Sequence, residues 1–272
     1  MNAVAAAHWS AGRIEPARST CNPSVSIPVV NPAFSGAQCA ARRTLKTSWR
    51  DQATGCLITV ATPHAEPDLW DQYLKGARRS YRRHGLERVL DFDAIEDGSD
   101  TALFFAATDG QMVGGTRVVG PLSSPEDSHA LDEWAGNPGR AELRKMIANR
   151  IPFGVVEAKT AWTDHESRAL TAALARTALP MMTLLGVRFV MATSGEHVLE
   201  QWRSSGGVVA AQIPATAYPS DAHRTRIVWW DRGTIAVHAE PEQFKLMLAE
   251  NREVLRSRRS RIRSPSAYPA GL

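Results

Sequence analysis

The chain has 272 residues, 43% hydrophobic and 22% charged, a balance that fits a globular protein rather than a low-complexity or fibrous one and allows one large domain or two small ones. Its net charge of +4 sits at the ends. Residues 1–55 hold six basic and two acidic side chains and residues 241–272 hold seven and three, so the middle is acidic and its binding chemistry cannot be read from the overall charge.

Residues 1–55, rich in Ala, Ser, Pro and Arg and without periodicity, read as a disordered N-terminal extension. Their first apolar stretch is too short for a signal-peptide core, and a cytoplasmic location is expected. Cys21, Cys39 and Cys56 form no C-x-x-C pair and have no nearby histidine, so neither a disulfide framework nor a zinc site is expected. Residues 56–62 (CLITVAT) read as the first strand, and Pro67-Asp68 opens a helix whose apolar face is Trp70, Tyr73, Leu74, Ala77 and Tyr81. Its other face carries Arg78, Arg79, Arg82 and Arg83.

Asp109-Gly110 between two apolar runs, 102–108 and 111–119, predicts a hairpin in which both turn residues take positive φ. Residues 122–138 read as a loop with one helical turn, 140–149 as a short helix and 153–162 (FGVVEAKTAW) as the central strand. A helix is expected over 166–185, with a kink at Pro180 and Asp164 as its N-cap. Strands follow at 187–193, 207–213 and 226–230, with a short helix at 196–205. The longest apolar run, 177–193, is broken by Pro180, Gly186 and Arg188, so no membrane span is expected. A C-terminal amphipathic helix over 240–256 runs into a flexible tail with five arginines between 256 and 263. That tail has no interleaved aromatic residues, and nucleic acid is not an expected partner. Hairpin followed by alternating strands and helices implies a mixed sheet, hence an α/β (α+β) fold over 56–240.

This order resembles the GNAT (Gcn5-related N-acetyltransferase) fold. In that family a bulge splays the central strand from its neighbour, the pantetheine arm of the acyl donor lies in the gap, and the pyrophosphate rests on the turn opening the next helix. The family's Q/R-x-x-G-x-G/A turn is matched in part by Arg168-Ala169-Leu170-Thr171-Ala172-Ala173. The chain is also similar to the acyl-homoserine lactone synthases and N-acyl amino acid synthases. It has their Arg-rich helix (ARRSYRRHG), an acidic segment from Asp91 through Asp93 to Glu96, and a G-x-x-R-L-x-P-like strand from Gly114 to Pro121. Where that branch has E-[LIV]-S-R, this chain has Glu157-Ala158-Lys159-Thr160, keeping the glutamate and lacking the arginine.

The resemblance implies an N-acyltransferase that takes an acyl group from a thioester donor, acyl-CoA or acyl carrier protein, to an amine or amino-acid-like acceptor. An acetyl-CoA-dependent acetyltransferase and a silent GNAT-fold binding protein are the alternatives. No metal is expected. Glu157 is the implied base, and burial in an apolar strand would raise its pKa. A bulge-freed amide among Ala158, Lys159, Thr160 and Ala161 is implied for the oxyanion. Thr160, Ala161, Trp162, Arg168, Ala169, Thr171 and Ala173 are implied on the donor, and Arg79, Asp91, Asp93 and Arg117 on the acceptor. His165 in the turn could titrate near neutrality. Asp164 and Glu166 make that turn acidic, which disfavours pyrophosphate and favours a carrier-protein donor. Trp202 stands where many family members have a proton-donating tyrosine, and Ser204 and Ser205 read as helix C-terminal caps.

Overall fold

A computed structural model describes residues 45–86, 89–165 and 167–263. It contains one eight-stranded sheet ordered β1-β2-β3-β4-β5-β6-β8-β7. The strands are β1 (Lys46–Arg50), β2 (Leu57–Ala61), β3 (Thr101–Asp109), β4 (Gln111–Val119), β5 (Val155–Thr163), β6 (Phe189–Gly195), β7 (Val208–Val209) and β8 (Thr225–Asp231). Every neighbouring pair is antiparallel except β5 and β6, which run parallel. This is the mixed sheet that the GNAT resemblance implied.

The strand β1 corrects the boundary of the N-terminal extension. Lys46–Arg50 alternates outward and inward, buries Thr47 and Trp49, and pairs with β2 along its whole length. Five residues with two inward positions carry too little periodicity to be recognised alone. The rest of the extension, including Cys21 and Cys39, lies outside the described residues.

The helices are α1 (Pro67–Arg83), α2 (Phe92–Ile95), α3 (Ala130–Glu133), α4 (Arg140–Ala148), α5 (Arg168–Arg176), α6 (Ala178–Leu185), α7 (Leu199–Ser204), α8 (Ile235–His238) and α9 (Pro241–Arg263). On one face of the sheet, α5, α6 and α9 cover Ile58, Phe105, Val118, Val156 and Val190. On the other, α1 covers Phe104, Ala106 and Trp162, while α3 and α4 cover Val155, Phe189 and Met191. Val155 and Val156 thus face opposite layers, as strand alternation requires. Helix α1 approaches closely because Gly76 faces the Trp162 ring; a Cβ there would lie 2.0 Å from Trp162 Cη2.

Four local expectations are corrected. Only Gly110 of the hairpin turn has positive φ (+69°), since Asp109 stays in the strand and pairs with Gln111. The helix expected over 166–185 is two helices broken at Thr177. Pro180 cannot donate to the Arg176 carbonyl and its ring crowds that oxygen, so the break falls one turn before the proline. The strand expected over 207–213 is two residues long. At the C-terminus, the basic run from Arg256 to Arg263 continues α9 and is helical.

At the end of α5, Arg176 is wholly buried. Its Nε donates to Glu250 on α9 (2.8 Å), Nη1 to Gln243 (2.8 Å) and Nη2 to Asp51, in the turn after β1. This one guanidinium ties α9 and the first β-turn to the centre of the molecule.

Candidate functional site

The ladder between β5 and β6 runs from Val155↔Phe189 to Ala158↔Ala192 and stops, although both strands continue. Past Ala158 the only parallel pair in the sheet opens. On its other edge β5 carries the implied bulge. Gly115 pairs with Trp162 and Arg117 with Lys159, so Thr160 and Ala161 together oppose Thr116. Thr160 has φ +51°, a costly conformation for a β-branched residue.

Three side chains hold the bulge. The Tyr73 hydroxyl donates to the Thr160 carbonyl (2.8 Å), Arg117 Nε to Thr160 Oγ1 (3.2 Å) and Thr116 Oγ1 to the Lys159 carbonyl (3.1 Å). The extra residue also shifts the strand's phase. Glu157 and Lys159 share one face, and Trp162, rather than Ala161, returns to that face beneath α1.

A cavity of about 640 Å³ fills the opening. Ala158, Lys159, Thr160, Ala161, Trp162 and Thr163 form one wall and the β6 end, Ala192 to Gly195, faces them. Tyr81 and His84 close it from α1, Thr171 and Leu174 from α5, Trp202 from α7, and Tyr218 to Thr225 from the loop before β8. The five consecutive β5 residues Ala158 to Trp162 named from sequence therefore meet at one site.

Its polar floor is an ion-pair network. Lys159 Nζ bonds Glu133 Oε1 and lies 3.7 Å from Glu157 Oε1. Burial disfavours the Lys159 charge, but the two carboxylates outweigh it and hold its pKa above the usual lysine value. Burial pushes the Tyr81 phenol up to about 12, with Lys159 opposing and Glu133 reinforcing the shift. Tyr218 is raised in the same way, by burial and then by Glu133. Both phenols therefore stay protonated near neutrality and can donate a hydrogen bond.

The residues carried over from the resemblance are placed differently from each other. Glu157 is fully buried and does not line the cavity; its Oε2 accepts from Ser128 Oγ and the His129 amide, both at 3.0 Å. It anchors the loop that leads into α3. Arg117 points inward, but onto Asp100 (2.6 Å) and Thr101 as well as the bulge, not into the cavity. Arg79 does not join Asp91 or Asp93. Its Nη2 lies 3.0 Å from Asp164 Oδ1, and Arg83 Nη2 lies 3.1 Å from the same oxygen. Asp91 caps α2 through the Ala94 amide, and Asp93 is exposed, 3.8 Å from Arg78.

On the α5 side, Thr171 reaches the cavity, Ala169 is exposed at the first turn, and Ala173 is buried in the core. Arg168 is exposed and pairs with Glu200 at 3.7 Å. The α5 N-cap is Ser167, which accepts from the Leu170 amide, in place of Asp164. Asp164 is instead drawn to the two arginines of α1, which outweigh its burial and hold its carboxyl below the usual range. The acidity of this turn is thereby offset at Asp164. His165 is exposed, and Glu166 lies outside the described residues. Ser204 and Ser205 donate to the Gln201 and Trp202 carbonyls, as caps do.

Sequence reasoning missed Glu133, and it read Tyr81 only as part of an apolar face. Glu133 lies in the single helical turn of a loop and meets Lys159 across 26 positions, a pairing with no local signal. Among the described residues no group of three or more His, Cys, Asp or Glu side chains could hold a metal, and no helix is long and apolar enough to cross a membrane.

No family model matches the chain. The uncharacterized protein Rv1356c of Mycobacterium tuberculosis is 58% identical over 207 residues, which cover 74% of this chain and 78% of that protein. Among solved structures, FeeM, an N-acyl amino acid synthase from uncultured soil microbes, has a TM-score of 0.47 at 14% identity, over 70% of this chain and 99% of its own. BjaI, a CoA-dependent acyl-homoserine lactone synthase, has a TM-score of 0.45 at 17% identity, over 67% and 87%. The bulged central strand and the opened parallel pair are features that the GNAT resemblance implies, and at 58% identity over most of both chains this protein belongs to one family with Rv1356c of Mycobacterium tuberculosis.

Proposed function

We propose that the protein is an N-acyltransferase, autoinducer-synthase-like, moving an acyl group from the thioester of coenzyme A or acyl carrier protein to an amine. The observation that carries this reading is the opening between β5 and β6, set against a bulge and occupied by a cavity with a polar floor. A thioester arm inserted there lies along an edge of β5 whose peptide groups have left the ladder. Their N–H groups at Thr160 and Ala161 serve the oxyanion. The acceptor's ammonium gives one proton to solvent water and the freed amine nitrogen attacks the thioester carbon; the carbonyl pair moves to oxygen and returns as the C–S bond breaks, and the nitrogen's second proton replaces the one given to the thiolate. The leaving thiolate takes a proton, with Tyr81 or Tyr218 as the donor in place of the tyrosine that Trp202 replaces. The first amides of α5, beside a turn whose Asp164 is matched by two arginines, receive the donor's phosphate. Such a donor places the reaction in the cytoplasm.

The test is thiol release by the purified full chain from octanoyl-CoA, acetyl-CoA and octanoyl carrier protein, with mass spectrometry of the products. Amine-dependent thiol release with a matching N-acyl product is expected from at least one donor. Complete inertness toward all three donors across a panel of primary amines would sink the proposal.

A further inference from the structure

One side of the cavity holds more negative charge than the described residues neutralise. Glu133 and Glu157 share a single cation, Lys159. Glu133 is 8% exposed and lines the cavity, yet its Oε2 has no hydrogen-bond partner; Glu157 Oε1 behind it has none either. Buried carboxylate oxygens left this way are costly unless something completes them. Asp132, next in the chain, adds to the field felt by Tyr218.

Among the described residues, the arginines in and around the cavity already face carboxylates. Arg117 is on Asp100, Arg79 and Arg83 are on Asp164, and Arg224 is within 3.5 Å of Glu196. Of the histidines lining the cavity, His84 and His197 are exposed at its rim and His223 is bonded to Ser220.

We infer that the acceptor is a primary amine with no carboxylate beside the nitrogen, received as an ammonium by Glu133. This rests on the acyl-transfer reading and narrows it. The ammonium supplies the missing positive charge, and the Tyr81 and Tyr218 phenols supply neutral contacts around it. An α-amino acid brings a second anion into an anionic pocket whose one lining arginine among the described residues, Arg224, already faces Glu196.

The experiment is calorimetric binding to the full chain without donor, using tyramine against tyrosine and phenethylamine against phenylalanine. Each pair differs only by the carboxylate. The amine is expected to bind at least about tenfold more tightly than its amino acid, as like charges a few ångström apart repel. Glu133→Gln, checked for folding by its unfolding midpoint, is expected to remove that preference. Should this variant fail to fold, the wild-type pairs still decide. Equal or tighter binding of the amino acids overturns the inference, and so does absence of binding by both amines. Thiol release is read separately: amine binding without any turnover removes acyl transfer and leaves the ammonium site standing.

Discussion

Lys159→Met removes the cation that lies between two buried carboxylates, Glu133 and Glu157. The side chains concerned are 10% exposed for Lys159, 6% for Glu133 and none for Glu157, so water cannot take over the lost role. Breaking a buried pair by removing one partner costs about 3–5 kcal/mol, mostly the penalty of the stranded charge. At about 2–4 °C per kcal/mol for a domain of this size, the unfolding midpoint should fall by about 6–20 °C. The double variant Lys159→Met/Glu133→Gln strands one carboxylate fewer and should recover part of the loss. Thermal and denaturant unfolding followed by tryptophan fluorescence measure all three proteins, with Trp134 adjoining Glu133 as a local reporter. A single variant within about 1 kcal/mol of wild type would mean that the network is hydrated and that burial has been overvalued. A double variant no more stable than the single would show that Glu133 is not the partner that matters.

Two further outcomes concern the frame around the site. Burial lifts the Glu250 carboxyl from 4.5 to about 7, with Arg176 opposing. Because the folded value is the higher one, its stabilising share is complete below 4.5 and is lost as pH rises through 7. Stability should therefore drop by on the order of 3 kcal/mol between pH 4.5 and 8, a slope that Glu250→Gln flattens. Urea titrations at both pH values check this, and an unchanged slope in the variant would refute it. Gly76→Ala, normally favourable in a helix, should instead destabilise by about 1–3 kcal/mol because its Cβ would enter the Trp162 ring. A neutral or higher unfolding midpoint would contradict the close approach of α1 to β5.

The sheet was legible where periodicity was local. Asp109-Gly110 marked the hairpin, and the spacing of Trp70, Tyr73, Leu74 and Ala77 marked the buried face of α1. The run of β5 residues at the cavity was reached through resemblance to a family motif. The bulge itself left no mark, since neither glycine nor proline punctuates VVEAKTAWT; Thr160 is held at positive φ by Tyr73 and Arg117, both far away in sequence. Partner choice was also hidden. Arg79 could be read as gripping a ligand only until Asp164, 85 positions on, was seen to occupy it. Glu157 misled for a related reason: a strand glutamate announces its charge but not which side of a cavity wall it occupies.

Arg176 has a consequence for synthesis. Its partners come from near the first strand and from the last helix, so on the ribosome Asp51 is available early and Glu250 only after all eight strands have emerged. Until α9 appears, the apolar layer later covered by Met247 and Val254 is bare. Between the emergence of α5 and that of α9 the nascent chain thus carries an open groove with a buried-type arginine at its edge, the sort of surface that chaperones hold. Arrival of α9 then covers the groove and satisfies the guanidinium together.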